Sequence, residues 1–233
     1  LALGLEKVNL HRRIALTIIK KTGTSPNKVI LGFMIATAFM SMWISNTAST
    51  VVMLPIALSV INLLIDQQES STKQTRNFAL SVMLGIAFSA NAGGIATVIG
   101  TPPNSVLIGL LENEYQIQIS FVKWMMIGLP FAIVMITIIY LVLVYGIFST
   151  KGLRFSASQE VIDNELDKLG PIKPKEKQVI WVFGIVVSLW IFRTLINSIF
   201  PGLKLSDTVI SIFGAIALFA IPFDLKKGDF ILE

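Results

Sequence analysis

Cysteine is absent from the 233 residues, histidine occurs once, and only 14% of the side chains are charged. Without cysteine there is no disulfide framework, no thiolate metal site and no thiol nucleophile. A lone His11 between Leu10 and Arg12 excludes a cluster of imidazole ligands, and it reads as a surface or headgroup-level residue. Soluble domains average about a quarter charged residues, so this composition argues against an ordinary water-soluble enzyme. Acid–base chemistry also needs titratable groups that the long apolar stretches lack. What is abundant instead is hydrophobic surface, at 54% of residues. The net charge of +5 does not indicate nucleic acid, because the basic residues form short islands between apolar runs rather than one wetted face. The composition is that of an all-α integral membrane protein, multi-pass, expected in the cell membrane.

Five stretches are uncharged or nearly so: 29–65, 77–111, 124–150, 178–200 with Arg193 inside it, and 208–223. A bilayer core needs about 20 helical residues, so 124–148 and 178–200 read as ordinary spans and 207–223 as a short one. Trp124 and Tyr145 flank the first of these at interface positions. The two longest stretches do not fit one helix each, since a straight helix of that length would extend roughly 50 Å. Both carry breakers at their centres: Ser45-Asn46-Thr47-Ala48-Ser49-Thr50 in one, Asn91-Ala92-Gly93-Gly94 and Gly100-Thr101-Pro102-Pro103-Asn104 in the other. Irregular backbone at membrane depth survives only inside protein or beside a wet cavity, and discontinuous helices point to a transport site.

Charge asymmetry constrains the path. Lys7, Arg12, Arg13, Lys20, Lys21 and Lys28 precede the first stretch, and Lys151, Arg154, Lys168, Lys173, Lys175 and Lys177 follow the third. Lys/Arg-rich loops are cytoplasmic, and both sets lie inside only if 29–65 enters and returns. The expectation is therefore a basic interfacial segment at 1–28, a re-entrant helical hairpin at 29–65 and a discontinuous transmembrane helix at 77–111. Two complete passes for 29–65 would give the same sides. A cytoplasmic loop follows at 149–177, where Ser156 and Gln159 match a capping box. Ile162, Leu166 and Leu169 then form an amphipathic helix that lies on the membrane or on a neighbour. No internal repeat is visible, and Leu1 does not open a signal-peptide pattern.

The breaks have a chemistry. Ser41 and Ser45, four apart, share a face if the first arm runs on to Asn46. With an Asn carbonyl and the loose carbonyls of a helix end, they make a neutral oxygen cage for a hard monovalent cation. Thr47, Ser49 or Thr50 could cap the second arm, whose free N–H groups favour an anion. Thr101 and Pro102 place a second helix amino end nearby. Neither stretch holds a titratable group, so sodium coupling is expected rather than proton coupling.

The run Met42-Trp43-Ile44-Ser45-Asn46-Thr47-Ala48-Ser49-Thr50 with Met53-Leu54-Pro55-Ile56-Ala57, and the run Gly93-Gly94-Ile95-Ala96-Thr97-Val98-Ile99-Gly100-Thr101-Pro102-Pro103-Asn104, resemble the two hallmark segments of the divalent anion/sodium symporter family. The resemblance extends over nearly the whole chain and implies a carrier of dicarboxylates, citrate or sulfate. It implies a sodium site from Ser41, Ser45, Asn46 and Gly94, a substrate carboxylate on Asn46 and Thr47, and a site shaped by Gly93, Thr97, Thr101 and Pro102. It also implies a homodimer, elevator-type movement, and no cofactor beyond sodium. The family's inverted second half, with its own Ser-Asn-Thr motif, has no copy here, so the chain reads as the middle of a longer transporter.

Plainer readings stand beside these. Gly93 and Gly94 could serve helix packing, Pro102-Pro103 could be a kink, and Arg193 could snorkel to the interface. A passive anion channel, a different ion exchanger or a non-transporting scaffold fragment are the alternative functions.

Overall fold

A computed structural model describes residues 2–23, 25–66, 73–151, 153, 158–200, 202–203, 205–220, 222–224 and 229–230. Helices hold nearly all of them, in the order α1 (Ala2–Lys7), α2 (Leu10–Thr22), α3 (Pro26–Ser41), α4 (Asn46–Asp66), α5 (Lys73–Ile95), α6 (Pro102–Tyr115), α7 (Phe121–Leu141), α8 (Ser158–Leu169), α9 (Pro174–Ile199) and α10 (Asp207–Ala220). A π-helical turn, Val142–Ile147, prolongs α7. The fold is all-α apart from a small antiparallel ribbon of β1 (Pro222–Asp224) and β2 (Asp229–Phe230). Among the described residues, three helices have the length and apolarity to cross a membrane: α5, α7 with its π turn, and α9.

The chain divides into two compact units. One comprises residues 12–118 and 124–170, the other residues 1–11, 119–123 and 171–233. In the first, α5 is the central element. Just over half of its span (56%) is buried, against 22% for α7 and for α9, because α3 and α4 both pack along it. Ile30 and Met34 of α3 lie against Gly85, and Ala38 lies against Gly93. The α3 and α5 helices therefore run in the same direction. Asn46, at the start of α4, sits against Gly94 near the carboxyl end of α5. Ser25 and Pro26 begin α3 at the N-cap and first-turn positions that suit a residue with no N–H and a fixed φ.

The amphipathic pieces dock on protein. Ala15, Leu16 and Ile19 of α2 are fully buried, and α2 approaches α3 so closely that a Cβ on Gly32 would lie 3.2 Å from Ile19 Cα. The stretch expected to lie with its apolar face in the interface thus has that face covered by the chain itself. On α8, Ile162 is buried, and Glu165 receives Arg12 of α2 together with Lys168 at 2.6 Å. Lys20 pairs with Asp163 at 2.7 Å, and Arg13 donates to the Gly170 carbonyl at 2.9 Å, just past the last turn of α8. Lys168 and Arg12 hold the Glu165 carboxyl below its ordinary value, against a smaller opposing effect of burial. The expected capping box at Ser156 lies outside the described residues.

In the second unit, the Arg193 guanidinium meets the Asp207 carboxylate of α10 at 2.9 Å, an acid supplied by the next helix. Two sequence expectations are corrected here. His11 is 7% exposed and its Nδ1 lies 2.9 Å from the Leu5 carbonyl, because the chain folds back through α1. The helix expected at 207–223 stops at Ala220 after 14 residues, with the extended Pro222–Asp224 following. Asp207 also accepts from the Phe121 backbone N–H at 2.9 Å, while the Phe121 and Trp190 rings stack 4.6 Å apart.

Candidate functional site

The first arm ends sooner than its polar residues imply. Helix α3 closes at Ser41, a link of four residues (42–45) follows, and α4 begins at Asn46. Ser45 is the cap of α4, its Oγ accepting the Ala48 N–H at 3.2 Å. Thr47, Ser49 and Thr50, the expected caps, lie inside the helix. The Ser49 and Thr50 hydroxyls donate back to the Ser45 and Asn46 carbonyls at 3.1 and 2.8 Å, as hydroxyls within helices do. So Ser41 and Ser45 do not share one helical face: Ser41 is fully buried, and Ser45 is exposed on the link. Two of the carbonyls expected to hang loose at this end are used too. Ala38 O accepts from Met42 N at 3.1 Å, and Met40 O accepts from Trp43 N and Ile44 N at 3.0 Å.

The second break also sits later than expected. Asn91, Ala92, Gly93 and Gly94 remain helical, and the irregular backbone is residues 96–101. The two glycines act by lacking a side chain rather than by bending. A Cβ on Gly93 would lie 2.3 Å from the Ala38 carbonyl, and one on Gly94 would lie 2.3 Å from Asn46 Oδ1. With 23 residues, α5 is long enough to cross a membrane alone, so it is more than the half-helix the sequence led us to expect.

Asn46 is where the two breaks meet. Its Oδ1 lies 2.6 Å from Ser41 Oγ, which also lies 2.7 Å from the Ala90 carbonyl. Three oxygens thus share one hydroxyl proton, an arrangement that is rich in acceptors and favours a cation. The Asn46 Nδ2 donates to Asn91 Oδ1 at 3.0 Å. On the other side, the first turn of α4 offers the backbone N–H groups of Asn46 and Thr47 at a helix amino end, with Thr47 exposed. Of the expected sodium ligands, the structure gathers Ser41, Asn46 and Gly94; Ser45 makes no hydrogen bond to that group among the described residues.

Residues expected to shape the site are connectors. Thr97 is fully buried and its Oγ1 donates to the Met42 carbonyl, tying one break to the other. Thr101 is the N-cap of α6 by position but makes no side-chain cap bond. Pro102 and Pro103 follow it and carry no N–H, so two of the donors that a helix amino end normally offers are missing from α6. The amino end of α4 therefore keeps more free N–H donors than that of α6.

Three residues that the sequence did not assign to the site hold the break together. Asn104 Nδ2 donates at 2.8 Å to both the Gly94 and the Thr97 carbonyls. Ser105 Oγ donates to Val98 O at 3.1 Å. Trp124, read from sequence as an interface aromatic, donates from Nε1 to the Ile95 carbonyl at 2.8 Å. Asn104 had a legible signal, a polar amide just inside a helix that begins with two prolines; Trp124 had none.

Residues 1–231 match the model of a family described as the sodium:sulfate symporter transmembrane region. A sodium-dependent dicarboxylate transporter, SdcS, of Staphylococcus aureus strain USA300 is 41% identical over 225 residues, covering 95% of this chain and 43% of the relative. SdcS of the bovine strain RF122 / ET3-1 matches with the same identity and coverage. The chain thus spans less than half the length of these curated relatives.

Proposed function

Because the chain belongs to the sodium:sulfate symporter family, we propose that the protein it comes from is a sodium-coupled carrier of small anions, with dicarboxylates such as succinate as its substrate class. The family is one of membrane transporters, and three helices among the described residues are long and apolar enough to span. The dicarboxylate assignment follows SdcS, at 41% identity over 95% of the chain.

The observation that carries this reading is the cluster at Asn46. Ser41 Oγ, Asn46 Oδ1 and Ala90 O lie within hydrogen-bond distance with one proton among them. A sodium ion bound there would be coordinated by neutral oxygens, which match a hard cation. Helix α4 begins at the same residue, and its first N–H groups and the Thr47 hydroxyl would receive a carboxylate. Placing anion and cation at adjacent atoms makes each stabilise the other, which is the physical basis of coupling. In this reading the hairpin-bearing unit of residues 12–118 and 124–170 is the part that moves, in a homodimer of full-length chains whose remaining residues complete the site.

The test is uptake of labelled succinate, citrate or sulfate by the full-length carrier in proteoliposomes. Uptake driven by an inward sodium gradient and lost in Asn46→Ala, with insertion unchanged, is the expected result. Flux indifferent to sodium would indicate a channel or another exchanger instead.

A further inference from the structure

The chemistry of an asparagine depends on which end of its amide faces the site, and at Asn46 that choice is made by a second asparagine. Asn91 is helical and exposed on α5, and its Nδ2 donates to the Ala87 carbonyl at 3.3 Å. That bond turns Asn91 Oδ1 toward Asn46, whose Nδ2 donates to it at 3.0 Å. Asn46 Oδ1 is thereby left facing Ser41 Oγ at 2.6 Å, against the Cα of Gly94. Reversing Asn91 would set its Oδ1 against the Ala87 carbonyl, and reversing Asn46 would set two amide oxygens against each other. Both reversals oppose acceptor to acceptor, so the relay Ala87–Asn91–Asn46 has one self-consistent orientation.

We propose that Asn91 is a positioning residue for sodium binding: it holds the Asn46 amide so that its carbonyl, rather than its N–H groups, points into the cation position. The proposal rests on the assignment of Asn46 as a sodium ligand given above. Without the relay, the Asn46 side chain is free to turn an N–H toward Ser41 Oγ, and in that rotamer it repels a cation. Asn91 then sets sodium affinity without touching the ion.

The experiment is succinate uptake by the full-length carrier as a function of sodium, for wild type, Asn91→Ala and Asn91→Asp. Membrane yield and monodispersity in detergent confirm that each variant folds. Asn91→Ala is expected to raise the half-saturating sodium concentration about fivefold, the loss of one hydrogen bond. The succinate KM at saturating sodium should stay within about twofold, well inside the effect of a lost contact. Asn91→Asp keeps an oxygen facing the Asn46 N–H and adds a negative charge that favours a nearby cation, so its half-saturating sodium should lie clearly below that of Asn91→Ala. Unchanged sodium dependence in Asn91→Ala overturns the proposal. So does a rise in succinate KM with sodium unaffected, which would make Asn91 a substrate contact, or equal impairment in both variants, which would make it a packing residue. A wild-type carrier with no sodium dependence would instead remove the reading of the site itself, before Asn91 is at issue.

Discussion

Gly94 has no side chain because Asn46 occupies the space, and that close approach can be tested at one atom. Gly94→Ala puts a methyl group where Asn46 Oδ1 now lies, 2.3 Å from the ideal Cβ, so the amide must leave its position. The expected result is a rise of at least about tenfold in half-saturating sodium, equivalent to losing about 1.4 kcal/mol, in a carrier that still inserts. Gly109→Ala in α6, where nothing lies within 4 Å, serves as the control and should transport normally. At this scale the sequence shows the residue types of the site through Ser41, Asn46, Thr47 and Gly94, since their motif is local. It does not show their partners. Asn91 is 45 positions from Asn46 and Ala90 is 49 from Ser41, and no periodicity within either stretch reports a contact over that separation. Ser45 shows the converse: its hydroxyl is used as a local cap, and a neighbour three residues on competes for the role the motif implies.

Between elements, the breaks depend on side chains that replace a lost backbone ladder. Asn104 alone answers two carbonyls, Gly94 O and Thr97 O. Asn104→Ala should destabilise the protein by about 2–4 kcal/mol, since each buried acceptor left unpaired costs roughly 1–3 kcal/mol. Thermal unfolding of the purified protein in detergent measures this, with Ser105→Ala as a milder comparison because Ser105 is exposed. That two interrupted stretches exist is legible from length alone: both are too long for one span and carry polar or glycine-rich centres. Their boundaries are not. Serine, asparagine and threonine cap helices as readily as they break them, so Ser45 starts α4 where a longer loop was expected. Glycine inside a helix can signal close packing, so Gly93 and Gly94 stay in α5 and the break moves to residues 96–101. The short final helix was likewise overextended, because Pro222 and Phe223 are apolar enough to prolong a stretch yet belong to an extended strand.

Across the whole molecule, charge has been sorted into joints. Arg12 and Lys20 of α2 are paired with the acids of α8, so part of the basic excess before the first long stretch fastens an amphipathic helix. Lys168 and Arg12 hold the Glu165 carboxyl below 4.5. Its ionised form therefore contributes stability in full above that value, and the contribution fades as pH falls through the lowered one. Glu165→Gln should lower the melting temperature by about 2–4 °C at pH 7, equivalent to about 1 kcal/mol for a group with partly exposed partners. The difference from wild type should close on acidification below pH 4.5. The fold class and membrane character follow directly from composition. The Arg193–Asp207 pair does not, because 14 positions of helix and turn separate its members. One consequence follows from the junction at residues 96–101. The Gly94 and Ile95 carbonyls just before it and the Thr97 and Val98 carbonyls within it are answered by Asn104, Trp124 and Ser105, so these four need no hydration shell to accompany them. An interruption whose acceptors are met from within the chain can lie at membrane depth as a continuous helix does, with no water needed at those four atoms.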